Sequence, residues 1–329
     1  MPRWKRVVVV VKETFAGYSN DEASWKAAAL AYYTVFALPP LLVLLLEVAS
    51  ALWDPIQVRR ALTGQFEAMM GQDVAGQIQT MISSAEQNVS GSGIRLLLSV
   101  AGLVFGATGA FISLQSALNR AWEVAPDPKA GGLKSFVTKR FLSLGMVLAV
   151  AFLLLVSLAL TSALSAATGV LFGGFAATMA NALDVLLSFA AVALLFAAIF
   201  KVLPDAKVEW RDVWIGAVAT AVLFEIGKYA IGLYIGKSKP GSAFGAAGSL
   251  AVLLVWIYYA AVIVLLGAEF TQAWAKEHGR EIEPEEGAVR VVEKKVAVGA
   301  TSAEADAPKS ERGLERDVTA DTDTLPVRR

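Results

Sequence analysis

The chain has no cysteine among its 329 residues and a single histidine, His278. The missing cysteines exclude disulfides, thiol nucleophiles and thiolate metal sites. With the one histidine beyond residue 276, a Ser-His-Asp triad, a multi-histidine metal centre and a histidine-based nuclease are excluded from the preceding body. Charge is scarce as well: 18% of residues are Asp, Glu, Lys or Arg, against about 25% in soluble domains. The formal net charge is zero. What fills the space is apolar, at 56% hydrophobic against about 45–50% for soluble proteins. An ordinary soluble domain is thereby disfavoured, and a bilayer is the natural solvent.

Six stretches, 27–51, 94–118, 141–165, 178–200, 211–236 and 247–273, approach the ~20 apolar residues that cross a hydrocarbon core. They predict an all-α, polytopic bundle of six transmembrane helices. The valine run from Val7 to Val11 is cut by Lys12, which makes it shorter than a secretory apolar core of about 7–15 residues. No cleaved signal is expected, and the first long stretch serves for insertion. Arg3, Lys5, Arg6, Lys12 and Lys26 precede the first stretch, and five more bases, Arg120 to Arg140, separate the second from the third. The link from 166 to 177 has none. By the positive-inside rule both termini are expected to be cytoplasmic. Trp4, Trp25, Trp53, Trp122, Trp210, Trp214 and Trp274 fall at expected helix ends, as an aromatic belt requires. Residues 277–329 hold 13 acids and 9 bases without Phe, Trp or Tyr. Such a segment buries too little apolar surface to offset ordering, so it is expected to be a disordered cytoplasmic tail on a 1–276 membrane domain.

The connection 53–93 is long. Asp54 before Pro55 has the form of a cap and first-turn proline, opening a helix through Ala61, Leu62 and Phe66. Val74, Ile78, Met81, Ile82, Ala85 and Val89 recur at helical spacing. An amphipathic helical pair on the outer face is expected, as a lid packed on the bundle or as a lipid-contacting gate.

Ionisable groups at bilayer depth are costly and mark functional positions. Counting ~1.5 Å per residue from the outer helix ends, Lys228 lies about 12 Å deep, Glu225 about 16 Å and Asp184 about 9 Å. Two pairings compete: Glu225–Lys228 within one helix, and Asp184–Lys228 between neighbours. Asn181 and Tyr229 share the respective faces. The cluster either fixes helix packing or forms a polar intramembrane site. Towards the cytoplasmic side, Asn119, Arg120 and Glu269 are polar, and Glu269 is expected to meet Arg120. Pro39 and Pro40 each remove a backbone donor inside an apolar run, so a kink or break is expected there. Gly102/Gly106 have the small-xxx-small spacing of close helix contacts. Asp205, Glu209 and Asp212, interleaved with Lys207 and Arg211, read as a solvated start of the fifth helix. No catalytic residue, metal site or cofactor is expected. The bases between the second and third stretches are explained by topology, so no nucleic-acid partner is expected either.

The strings LAYYTVFALPPLL from Leu30, LQSALNRAWEV from Leu114, LPDAKVEWRDVWIGAVATAVLFEIGKYAIGLYIG from Leu203 and SAFGAAGSLAVLLVWIYYAAVIVLLGAEF from Ser242 resemble the YihY/BrkB family of six-helix bacterial inner-membrane proteins. The resemblance covers roughly residues 10–276. It implies the fold and the membrane; ribonuclease and virulence-factor labels have both been attached to that family, without residue roles that transfer. Three functions remain open: transport or handling of a lipid or small solute, with membrane lipids as partners; an envelope scaffold; and an enzyme, disfavoured because no catalytic constellation is visible.

Overall fold

A computed structural model describes residues 3–50, 54–70, 75–76, 78–80, 83, 92–128, 145, 174–238 and 248–292. Seven helices with printed bounds stand among them: α1 Arg3–Asn20, α2 Ala23–Ser50, α3 Pro55–Met70, α4 Ser92–Ala121, α5 Gly174–Val202, α6 Trp210–Ser238 and α7 Gly248–Glu277. Four short strands accompany them: β1 Val124–Pro126, β2 Ala206–Lys207, β3 Glu283–Pro284 and β4 Ala288–Arg290. Everything to Arg290 belongs to one compact unit; a second unit, Val291–Arg329, is described only at its first two residues.

Three described helices are long and apolar enough to cross a membrane, over Ala23–Val43, Trp210–Tyr234 and Leu250–Glu277. Helices α4 and α5 coincide with two more of the expected stretches. The remaining one, 141–165, lies outside the described residues apart from Gly145. Of the expected helical pair in 53–93, the first is α3. Asp54 caps it, its Oδ1 accepting from the backbone N–H of Ile56 at 2.9 Å and of Gln57 at 3.1 Å, which satisfies two of the donors a helix start leaves open. Of the second, residues 75, 76, 78–80 and 83 are described and helical. Val58, Leu62 and Ile78 join the buried core, so this connection packs on the bundle.

Helices pack through small residues, because in lipid it is close van der Waals contact that holds them together. On α4, Gly102, Gly106 and Gly109 present a row to Pro40, Ala37 and Tyr33 of α2; a Cβ on Gly106 would stand 2.9 Å from the Ala37 Cα. The antiparallel α6 and α7 interlock reciprocally. A Cβ on Gly216 would overlap the hydroxyl of Thr271, and one on Gly267 that of Thr220. Each hydroxyl donates to the carbonyl of the glycine on its own helix, at 2.7 Å in both cases. Two polar side chains are thereby fully buried without an unsatisfied donor.

Three expectations need correction. Of the kink or break expected at Pro39 and Pro40, the break is absent, since helix α2 is continuous through both: the missing donors remove only two bonds of the ladder, and the glycine row of α4 packs directly against this segment. Trp122 is fully buried against Phe200, ring centroids 5.9 Å apart, and is no part of a belt; Trp25, Trp210 and Trp214 are exposed as expected. The tail does not lose structure at 277. Strand β4 pairs antiparallel with β1, Ala125 opposite Val289, and β3 with β2, Ala206 opposite Pro284. Residues 293–329 lie outside the described residues.

Candidate functional site

The starts of α2 and α6, the ends of α4, α5 and α7, and all four strands gather at one end of the bundle, its base. Helix α1 runs antiparallel past the last turns of α7, with Arg6 3.9 Å from Glu277 and Gly17 against Glu269. It turns into α2 at Asp21 and Glu22, the latter with a positive φ of 52°. Between α1, α7 and the end of α4 lies a partly open cavity of about 380 Å³, lined by Glu13, Gly17, Asn20, Asp21, Glu123, Glu269, Gln272 and Lys276 among others.

Glu269 is buried although it lines this cavity. Its carboxylate occupies the notch left by Gly17, where any Cβ would overlap its Oε2. It faces the carboxyl of Asp21, and Asp21 accepts a hydrogen bond from the Nε of Arg120 at 3.1 Å. Arg120 and Glu269 thus each face Asp21, in place of the direct meeting expected between them. At the rim, Lys276 Nζ donates to Glu123 Oε1 at 2.8 Å. The wall is predominantly acidic, with Lys276 as its basic member.

Beside the cavity, polar ties hold the base together. Asn119 and Asp205 bond reciprocally: the Asn119 amide donates to the carboxylate at 2.8 Å, and the Asp205 backbone N–H donates to the Asn119 carbonyl at 2.8 Å. Gln115 adds a bond to the same carboxylate at 3.2 Å. Asp212, 2% exposed, is gripped by the guanidinium of Arg280, with Nε to Oδ2 at 2.8 Å. This hydrogen bond holds the Arg280 guanidinium above its ordinary range. The expected solvated start of α6 is thus corrected for Asp205 and Asp212, while Glu209 is exposed.

Far from the base, Lys228 Nζ pairs with Glu225 Oε2 at 2.8 Å within α6, side chains a quarter to a third exposed. The ammonium also stands 5.7 Å from the Tyr229 ring centroid. The intrahelical alternative is therefore formed. The side chains of Asn181 and Asp184 lie outside the described residues. The ring of Tyr259 on α7 reaches over Gly227. Among the described residues no group of three or more His, Cys, Asp or Glu side chains is placed to hold a metal ion.

Sequence reasoning missed Asp21, Arg280 and the threonines of the α6–α7 interlock. For the last, a signal was present, since Gly216-xxx-Thr220 and Gly267-xxx-Thr271 carry the same spacing as the glycine pairs.

Apolar helices of membrane-spanning length and close-packed glycines define a helical integral membrane protein. The family model described as "Virulence factor BrkB" matches residues 14–291, and the chain belongs to that family. A UPF0761 membrane protein of Verminephrobacter eiseniae (strain EF01-2) is 31% identical over 273 residues, 82% of this chain and 62% of that protein. One of Albidiferax ferrireducens is 30% identical over 272 residues, 80% of this chain and 61% of its own. A third, of Stenotrophomonas maltophilia (strain K279a), is 31% identical over 268 residues, 78% and 59% of the two chains. The chain spans about three fifths of the length of these relatives. No solved structure matches it.

Proposed function

We propose that the protein transports or otherwise handles a small solute or lipid at the bacterial inner membrane, with the basal cavity as the cytoplasmic mouth of its path. The observation that carries this reading is the buried Glu269 carboxyl at the wall of an open, acidic concavity. A carboxyl withdrawn from water is costly and is not needed to close the α1–α7 contact, where an apolar side chain would serve. The acidic wall favours a positively charged group on the solute, such as an amine or a quaternary ammonium headgroup. The Glu225–Lys228 pair, in the middle of a span, supports a polar step further along the path.

The test is flux into proteoliposomes offered, in turn, small amines, quaternary ammonium ions and fluorescent phospholipids. Saturable flux of one class is expected, reduced about fivefold by Glu269→Gln through loss of a carboxyl hydrogen bond of ~1 kcal/mol. The same preparation is expected to leave RNA uncut. Protein-independent traces for every class would sink the transport reading in favour of a membrane scaffold.

A further inference from the structure

Helix α1 divides its surface three ways. Val10 and Thr14 are buried on the side packed by α7, and Glu13 and Gly17 line the cavity. The third face is apolar and uncovered: Trp4, Val7, Val8, Val11 and Phe15, spaced at three and four, are all exposed, Trp4 by 65% and Phe15 by 61%. Lys5 and Lys12, one heptad apart, run along the edge of this stripe and are exposed too, with the Lys5 ammonium 5.6 Å from the Trp4 ring centroid.

We infer that this face of α1 is a lipid-binding surface, its apolar stripe seated in the acyl boundary of the leaflet at the base and Lys5 and Lys12 at anionic headgroups. An apolar stripe with a tryptophan and flanking lysines is the composition of membrane-interface helices; because α1 runs antiparallel to α7, its stripe meets the leaflet along the side of the span rather than flat in the interface plane. Charge complementarity picks the occupant, because the exposed charges that flank the stripe are Lys5 and Lys12, and anionic headgroups attract them. Position agrees: α1 lies beside the last turns of α7, where the span Leu250–Glu277 ends, and a two-residue turn joins it to the span of α2. Lipid contact on one face of α1 would bear directly on Glu13 and Gly17 on another, so the membrane and the cavity share one wall. The assignment stands apart from any transported solute.

The absence of cysteine makes the test direct. The full chain carrying Val8→Cys or, as the cavity-side comparison, Glu13→Cys is labelled with an environment-sensitive fluorophore. It is reconstituted into vesicles of phosphatidylglycerol and phosphatidylethanolamine containing brominated acyl chains. The Val8 probe is expected to be quenched by the brominated lipid at least about twofold more than the Glu13 probe, and less in the Lys5→Gln, Lys12→Gln background. Free quenching of Val8 by aqueous iodide would overturn the proposal, since the stripe would then face water. Protection from both quenchers would overturn it as well, in favour of a second copy or another protein on this face. Equal quenching in vesicles of phosphatidylcholine alone would overturn the headgroup assignment.

Discussion

At the scale of single residues, the α6–α7 contact depends on hydroxyls filling glycine notches. Gly216→Ala puts a methyl where the Thr271 hydroxyl stands, and overpacking of this kind costs about 1–3 kcal/mol. The predicted outcome is a lower unfolding midpoint in detergent, partly restored by Thr271→Ala; an unchanged midpoint for Gly216→Ala would show that the interface yields. The intrahelical pair gives a second prediction. Lys228→Met strands Glu225 in an apolar span, and breaking a buried pair costs on the order of 3–5 kcal/mol, less here because both groups are partly exposed. Lys228→Met with Glu225→Gln should be milder than the single change, and rescue by Asp184→Asn instead would move the partnership to α5. The pair was legible in the sequence because acid and base stood out against an apolar run. The threonines carried only the Gly-xxx-Thr spacing as a signal, because a buried hydroxyl looks like any other polar interruption until the facing glycine, about 50 positions away, is known.

At the scale of elements, the least legible part of the chain is 278–290. It has no aromatic residue and few apolar ones, so its composition reads as solvated. Its order comes from partners remote in sequence: β1 and β2 each offer an edge, and Asp212 offers a buried carboxylate to Arg280. Arg290 adds a bond to Glu281 at 2.8 Å, holding that carboxyl below its ordinary range. Composition cannot reveal a segment ordered by strand pairing with distant turns. The acid at the start of α6 also suits the positive end of the helix dipole. Arg280→Gln leaves Asp212 buried without its cation and is predicted to cost on the order of 3–5 kcal/mol. The double change Arg280→Leu, Asp212→Leu removes both charges and should cost much less. Amide exchange across 283–290 provides the check: faster exchange in the single variant than in the double is expected, and equal protection in all three proteins would mean that strand pairing alone secures the segment. Helix α1 went unread as a helix for a related reason. Five consecutive valines read as a truncated apolar run, whereas spacing, not continuity, sets which of them meet α7 and which face outward.

At the scale of the whole molecule, long apolar stretches announced the helices, and those at 27–51, 94–118, 178–200, 211–236 and 247–273 coincide with described helices. Sidedness is carried by charge rather than by shape, because the energy that orients a chain is spent on its loops. The base holds Lys26, Arg120, Lys201, Lys207, Arg211 and Lys276, at or next to the helix ends gathered there. The far end of α6 carries Lys237, and α3 carries Arg59 and Arg60 paired in sequence with a capping Asp54. The base is therefore predicted to face the cytoplasm and α3 the outside. Single cysteines introduced into this cysteine-free chain decide it with a membrane-impermeant maleimide on intact cells. Gln57→Cys, on the exposed side of α3, should label from outside. Glu285→Cys, exposed beside β3 at the base, should label only after the membrane is permeabilised. The reverse pattern would invert the molecule and put the acidic cavity in contact with the outer medium. Any solute accepted there would then meet the protein from outside the cell, and the basal cavity would be the outer rather than the cytoplasmic mouth of the path.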